Sequence, residues 1–318
     1  MQNKRILLIM LLATVCLSCE RELDITDFGD EFGNYQPELK VEALLQQDKP
    51  EDSIIRIIKT STITDSTVYN GVDDDGDDDI DEYDEILPLI QDTTASVKVT
   101  NLNSGAETEF EYVEVADRFV IGDEVTMVPY GGYKPKSDGF QIEIYAQYQI
   151  EIYSREFDKT ISGVTTVCPP VEFIDIDTLF VLDGDHVTMM SDDTKQIFWK
   201  SDPNITSYHI IVEESEQIDE NDPEFEFLDS FVSARDSALT ERHENVSIGT
   251  DVSAEVYADI GKVLKITVEA LSPEYGRYIF SLLPLNDAQR SNLRDENGKP
   301  VMGAFGATAA RSIHITFQ

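Results

Sequence analysis

The chain has 318 residues, a formal net charge of −39 and a hydrophobic content of 41%. That content is enough to bury a core, and the length suits about two domains. The negative charge repels phosphate backbones and so argues against nucleic-acid binding. Three cysteines are too few for a disulfide framework.

The N-terminus predicts a lipoprotein. Lys4 and Arg5 precede an apolar run that is too short to span a bilayer, and Ser18-Cys19 follows it. A small residue before a cysteine resembles a bacterial lipobox, although Cys16 stands where Leu is usual. We expect residues 1–18 to be a signal peptide and Cys19 to carry diacylglycerol and a fatty acyl chain, a stable anchor. An ordinary cleaved signal is the alternative.

Residues 19–36 are polar and acidic, and we interpret them as a tether. Short runs with alternating apolar residues follow, separated by turn residues such as Asn103-Ser104-Gly105. They predict an N-terminal β domain over residues 37–168, with an Asp-rich insert at 70–86. The predicted strands are 39–45, 54–58, 95–99, 110–112, 140–144, 148–152 and 160–167.

Pro169-Pro170 interrupts the strand pattern, because proline cannot donate a ladder hydrogen bond, and marks a domain boundary. A second series of β patterns then occupies residues 171–318. Ile197-Phe198-Trp199, followed by the run 208–212, resembles the second and third strands of a fibronectin type III domain, in which a Trp fills the centre. Trp199 is therefore predicted to be a core residue.

One short helix is predicted near the C-terminus. Ser272 is a suitable N-cap, Pro273 suits the first helical position and Pro284 ends the pattern. The alternation of Ile313, Ile315 and Phe317 then predicts a closing strand. The complete pattern predicts an all-β fold of two β-sandwich-like domains, the second like a fibronectin type III or immunoglobulin domain.

The order of several weak motifs resembles the DUF4249 lipoproteins of Bacteroidetes. The motifs are Cys19-Glu20-Arg21-Glu22-Leu23-Asp24-Ile25, Pro37-Glu38-Leu39-Lys40-Val41-Glu42, Gly163-Val164-Thr165-Thr166-Val167, Asn297-Gly298 and Gly303-Ala304-Phe305-Gly306-Ala307. The resemblance implies an outer-membrane lipoprotein, often encoded beside a TonB-dependent receptor. It implies no reaction, and it leaves open whether the protein faces the periplasm or the cell surface.

No common catalytic motif occurs in the sequence. It contains no G-x-S-x-G, H-E-x-x-H, Walker A or G-x-G-x-x-G pattern, and its four histidines lack metal-ligand spacing. Cys168 has no histidine or basic cluster near it in the sequence, which favours an inert thiol. We therefore predict that the protein is not an enzyme and has no catalytic residues.

The Asp-rich insert has the spacing of a calcium loop. Ten acidic residues occupy positions 73–85, and their repulsion must be offset by solvent or by a cation. One register places the apolar Ile80 at position 8 of an EF-hand-like loop. The predicted ligands are Asp73, Asp75, Asp77, Asp79 through its backbone carbonyl, Asp81 and Asp84. Asp78 replaces the usual Gly at position 6, so a solvated loop without an ion is the alternative.

Two hypotheses about function follow. In the first, the protein is a non-catalytic binding or accessory module that is held on the outer membrane by its lipid and acts alongside a TonB-dependent receptor. In the second, it is a structural or adhesive calcium-binding protein of the cell surface.

Overall fold

The computed structural model describes most of the chain after the predicted tether. The ranges are 37–61, 90–121, 124–174, 182–183, 186–189, 195–200, 202–215, 226–234, 241–242, 246–249, 253–256, 263–279 and 290–317. Strands dominate these ranges, which confirms the all-β prediction.

The strands up to the predicted boundary are β1 (Leu39–Gln46), β2 (Ile54–Lys59), β3 (Ser96–Asn101), β4 (Glu107–Ile121), β5 (Glu124–Pro135), β6 (Gln147–Ser154) and β7 (Lys159–Thr166). Those after it are β8 (Glu172–Ile174), β9 (Leu182–Asp183), β10 (His186–Met189), β11 (Lys195–Lys200), β12 (Ser207–Ser215), β13 (Glu226–Ala234), β14 (Glu241–Arg242), β15 (Val246–Gly249), β16 (Ser253–Val256) and β17 (Val263–Leu271). Helix α1 (Pro273–Ile279), β18 (Leu293–Asp295) and β19 (Met302–Phe317) complete the described elements.

Nine strands form the first region of the molecule, in the order β19-β1-β2-β5-β4-β3-β6-β7-β18. Neighbours are antiparallel except β1 and β19, which run parallel. The sheet curves until its last strand returns to its first. Asn292 joins the two ends, since its Nδ2 donates to the Val164 carbonyl at 2.8 Å and to the Phe305 carbonyl at 2.7 Å.

The inner face of this closed sheet holds the first core cluster. Alternate residues of β1, β3 and β6 point inwards, and in β1 every second side chain is buried. The cluster draws on all nine strands, and its largest fully buried side chains include Tyr148, Phe305 and Leu45. One contiguous core therefore stabilises the first region.

The second region is a sandwich of two sheets. One sheet has the order β14-β15-β16-β11-β8, and the other contains β13-β12-β17 and the C-terminal half of β19. This division of strands is that of an immunoglobulin-like sandwich. Trp199 on β11 is buried, and its ring meets Tyr208 of the opposite sheet edge-on at 5.8 Å and Phe173 at 6.4 Å. The prediction that Trp199 is a core residue is confirmed.

Strand β19 belongs to both regions. Its first half pairs with β1 and contributes Phe305 and Ala307 to the first cluster, whereas its second half pairs with β17 and contributes Ile313 and Ile315 to the second. The change of cluster along the earlier chain falls between Val167 and Cys168. The domains at 37–168 and 171–318 stay a prediction, but the packing assigns β18 and half of β19 to the first region.

Helix α1 fills the junction between the two regions. The predicted N-cap is confirmed, because Ser272 Oγ accepts the Tyr275 amide at 3.4 Å and also the Ala307 amide at 3.0 Å. A side chain at Gly306 would collide with Tyr275, so the helix rests closely on β19 at that point. The predicted helix end at Pro284 lies outside the described residues.

The strand predicted at 140–144 is wrong. The segment between β5 and β6 forms turns, with the Phe140 amide donating to the Ser137 carbonyl at 3.1 Å. Phe140 and Ile142 alternate with exposed residues because they fill the end of the first core, not because they lie in a ladder. Tyr145 then turns the chain at a φ of 65° and is 58% exposed.

Candidate functional site

The residues predicted to carry the lipid and to bind calcium lie outside the described part of the chain. Cys19 belongs to residues 1–36, and the predicted calcium ligands Asp73, Asp75, Asp77, Asp79, Asp81 and Asp84 belong to residues 62–89. The structure does describe the points at which both segments join the first region, and these points define the candidate site.

The two ends of the insert are held side by side. The chain leaves β2 at Lys59 and returns at Gln91, which forms an antiparallel bridge with Ile58. The Asp92 amide donates to the Ile57 carbonyl at 2.9 Å. The described residues on either side of 62–89 therefore lie at neighbouring positions of one sheet, so an insert of any length can be accommodated there without a change in the strands.

A buried carboxylate secures the returning end of the insert. Asp92 is 2% exposed and accepts three hydrogen bonds, from Ser154 Oγ at 2.5 Å, the Thr94 amide at 3.0 Å and Thr94 Oγ1 at 3.1 Å. A buried carboxylate without such partners would cost several kcal/mol. Because Ser154 ends β6, the network ties the insert to a third strand.

Two tyrosines complete the base of the insert. The Tyr133 hydroxyl donates to the Asp92 carbonyl at 2.9 Å and accepts the Ala95 amide at 2.8 Å. The Tyr112 hydroxyl donates to Gln91 Oε1 at 2.8 Å. Burial raises the pKa of Tyr133, and burial followed by the nearby charge of Glu114 raises the pKa of Tyr112. Both hydroxyls therefore stay protonated donors well above neutral pH.

The predicted tether joins the fold at the same end of the first region. Glu38, just before β1, pairs with Thr60, just after β2: the Thr60 amide donates to the Glu38 carbonyl at 2.8 Å. The turns at 155–158 and 296–299 also lie there, since the Thr160 amide donates to Glu296 at 3.1 Å. We call this the tether end; the second region joins the opposite end, where β1 finishes.

The junction between the regions carries a second polar cluster, on the sheet face that α1 covers. His209 Nδ1 lies 2.7 Å from Glu269 Oε2 across β12 and β17. Burial raises the pKa of Tyr275 to about 12, helped by the charges of Glu42 and Glu269 and opposed by Arg56. This cluster brings together elements of both regions, so we interpret its role as structural.

Cys168 lies at the start of the second core. It is a free, buried thiol, and burial, then Asp202 and Glu274, raise its pKa to about 12. A thiol with such a pKa is almost entirely protonated at neutral pH, so it lacks the thiolate that nucleophilic catalysis requires.

Within the described ranges, no group of three or more His, Cys, Asp or Glu side chains is arranged to hold a metal ion. Nor does that part of the chain contain a helix with the length and apolar content needed to cross a membrane.

The Asp92 network and the junction cluster were not found from the sequence. Each depends on strands far apart in the chain, such as Asp92 with Ser154 or His209 with Glu269, and in so acidic a sequence no local pattern distinguishes these residues. The adjacent Thr93-Thr94 turn gave no stronger signal than many others.

Comparison with known proteins places no family on this chain: no family model matches it, and no curated protein or solved structure is significantly similar to it.

Proposed function

We propose that this protein is a lipid-anchored, non-catalytic binding module of the bacterial outer membrane that works beside a TonB-dependent receptor. The observation that carries the proposal is that the predicted tether and the Asp-rich insert join the closed sheet at the same end. The buried hydrogen bonds of Asp92 secure the point at which the insert returns to the sheet, so little of the scaffold must be ordered when a ligand binds. The Ser18-Cys19 junction and the resemblance to DUF4249 lipoproteins supply the location and the partner.

Calcium is the ligand that the insert suits best. Carboxylates at Asp73, Asp75, Asp77, Asp81 and Asp84, with the Asp79 carbonyl, provide the oxygen ligands that calcium prefers. A bound cation offsets the repulsion among ten acidic residues within positions 73–85. Extracellular calcium sites function with dissociation constants of about 10⁻⁴ to 10⁻³ M, so a modest affinity is sufficient.

Anchoring is tested by Cys19→Ala. This variant should accumulate as an unprocessed precursor and should not be labelled by radioactive fatty acid. Normal cleavage and recovery of the unlabelled variant in the outer membrane would refute the lipid anchor.

The partner is tested by affinity purification of the tagged wild-type chain from native outer membranes in mild detergent. Recovery of a TonB-dependent receptor in a fixed ratio supports the binding module. The second function, a structural or adhesive calcium-binding surface protein, is favoured by the immunoglobulin-like sandwich of the second region, an architecture common in cell-surface proteins. Recovery of the chain alone, with binding to matrix or to other cells, would support that function instead.

A further inference from the structure

Strands β4 and β5 extend beyond the sheet that contains them. Strand β3 pairs with β4 only as far as Phe110, and β2 pairs with β5 only at Ile55 and Tyr133. From Val113 opposite Gly132 to Ile121 opposite Glu124, β4 and β5 pair with each other and with no other described strand. We call residues 113–121 and 124–132 the ribbon, which is about 30 Å long at 3.3 Å per residue.

The ribbon projects from the tether end. Strand β5 runs antiparallel to β2, so its residues before Tyr133 lie towards Lys59, the last residue of β2. Lys59 is opposite Leu39, where β1 begins. The 18 residues of the predicted tether can span at most about 65 Å, so a lipid on Cys19 would hold the tether end, and with it the ribbon, near the membrane surface.

The two outer edges of the ribbon differ. The Lys136 amide donates to the Glu109 carbonyl, so odd-numbered residues of β4 bond to β5 and even-numbered residues direct their backbone groups to the outer edge. On the β5 side, Pro129 lies opposite Ala116 and has no N–H to offer. The β4 edge keeps its donors at Ala116, Arg118 and Val120, whereas the β5 edge is interrupted.

An edge that pairs with no described strand is a possible template for another strand, and natural proteins usually blunt such an edge. Here proline interrupts the β5 edge, whereas residues 113–121 of β4 contain no proline. The β4 part of the ribbon is also rich in residues that favour strands, namely Val113, Val115, Phe119, Val120 and Ile121.

We propose that the outer edge of β4 in the ribbon binds an extended strand of a membrane-embedded protein by β-strand addition. The inference rests on the proposed function, because the anchor is what brings the ribbon to the membrane. The bilayer itself does not fit, since hydrocarbon cannot satisfy the unpaired N–H and C=O groups of an edge. A second copy does not fit either, since each chain carries a formal charge of −39 and the two repel each other. The partner strand is therefore apolar with neutral or basic flanks.

Amide hydrogen exchange tests the inference on the lipidated, full-length protein. Exchange is followed by mass spectrometry for peptides that cover 113–121 and 124–132, in native outer membranes, in detergent and in liposomes with or without anionic lipid. In native membranes the β4 peptide should exchange about tenfold more slowly, which corresponds to a bound fraction of about 90%. The β5 peptide should change little, because its outer edge is interrupted.

Two matched variants locate the binding edge. Val120 and Val125 lie opposite each other, and neither amide bonds within the ribbon, so Val120→Pro and Val125→Pro remove one outward donor each from opposite edges. Val120→Pro should abolish the slow exchange at residues 113–119 in native membranes. Val125→Pro should retain it, and both variants should melt like the wild type.

Several results would overturn the inference. If both variants lose the slow exchange equally, the two edges of the ribbon do not differ in binding, and the β4 edge is not the binding site. Protection in liposomes alone would identify lipid as the occupant, and protection in detergent that grows with protein concentration would identify a second copy. If Cys19 is labelled by fatty acid but the β4 amides exchange equally in every condition, this inference fails and the proposed function stands. If Cys19 is not labelled, the proposed function fails first.

Discussion

The first region surrounds its core with one sheet that returns to its starting strand, whereas the second region encloses its core between two separate sheets. In the first region Asn292 bridges β7 and β19, and the ribbon and the attachment points of the predicted tether and of the insert lie at one end. The second region is built around Trp199, and its described residues form no comparable base for an insert. Strand β19 serves both cores, so the regions differ in role but share a structural element.

The largest expected effect comes from the parallel pairing that begins β19. Gly303 has a φ of 96°, and a β-carbon there would lie 1.9 Å from the Val41 carbonyl oxygen. Gly303→Ala combines backbone strain with overpacking and should lower the free energy of unfolding by about 5 kcal/mol in urea denaturation. Gly298→Ala is the control, since Gly298 also has a positive φ but nothing lies within 4 Å of its β-carbon position. It should cost about 1 kcal/mol. Equal costs would show that the close approach to β1 has no energetic role.

A shared strand should make the two regions unfold together. Phe305→Ala leaves a cavity in the first core and should lower the free energy of unfolding by about 4 kcal/mol. Trp199 is the only tryptophan in the chain and lies in the second core, so its fluorescence reports on the other region. Phe305→Ala should therefore move the unfolding midpoint measured by Trp199 fluorescence as far as the midpoint measured by circular dichroism. An unchanged fluorescence midpoint would show that the regions unfold independently.

The base of the insert should contribute less to the free energy of unfolding than Gly303 or Phe305 does. Asp92→Ala leaves the buried hydroxyl of Ser154 and the groups of Thr94 without their acceptor and should cost about 2 kcal/mol. It should also speed amide exchange near Gln91, because the returning end of the insert is released. Asp138→Ala removes an exposed carboxylate of the same region and should change neither quantity. Similar behaviour of the two variants would contradict the anchoring role of Asp92.

Ionisation of Cys168 should leave the free energy of unfolding unchanged at neutral pH and should lower it measurably in alkali. Its pKa is raised from 9.0 to about 12 by burial, so the folded chain retains a proton that the unfolded chain loses. Stability should therefore be unaffected by this group below about pH 9 and should fall between about pH 9 and 12. A thiol reagent at pH 8 should modify Cys168 only in denaturant. Rapid modification of the folded chain would show that the thiol is accessible.

Local chemistry made several features predictable. Ser272-Pro273 marks the start of a helix, Asn103-Ser104-Gly105 marks a turn, and alternation marks most strands. Trp199 could be placed in a core because its segment resembles a strand of a fibronectin type III domain, in which a Trp fills the centre. The segment 140–144 was wrongly predicted to be a strand, because apolar residues also alternate where an unpaired segment lies across a core.

Long-range features were not predictable. The closure through Asn292, the division of β19 between two cores and the Asp92 network each join residues that are far apart in the chain. Contacts between single, distant residues leave no periodic pattern in the sequence, so they cannot be recognised from it. The insert is the opposite case, because its spacing can be recognised in the sequence while its predicted ligands lie outside the described residues.

The central claim is that the first region presents a calcium-binding insert on a scaffold that is already complete without it. Residues 62–89 can be replaced by a short Gly-Ser turn, because their ends lie beside each other at Ile58 and Gln91. Calorimetric titration with calcium should give a saturable heat for the wild type and for Asp74→Ala, which removes a non-ligand carboxylate. It should give none for Asp77→Ala or for the replacement, while the replacement folds and melts like the calcium-free wild type. A saturable heat in the replacement, or equal loss in Asp74→Ala and Asp77→Ala, would contradict the claim.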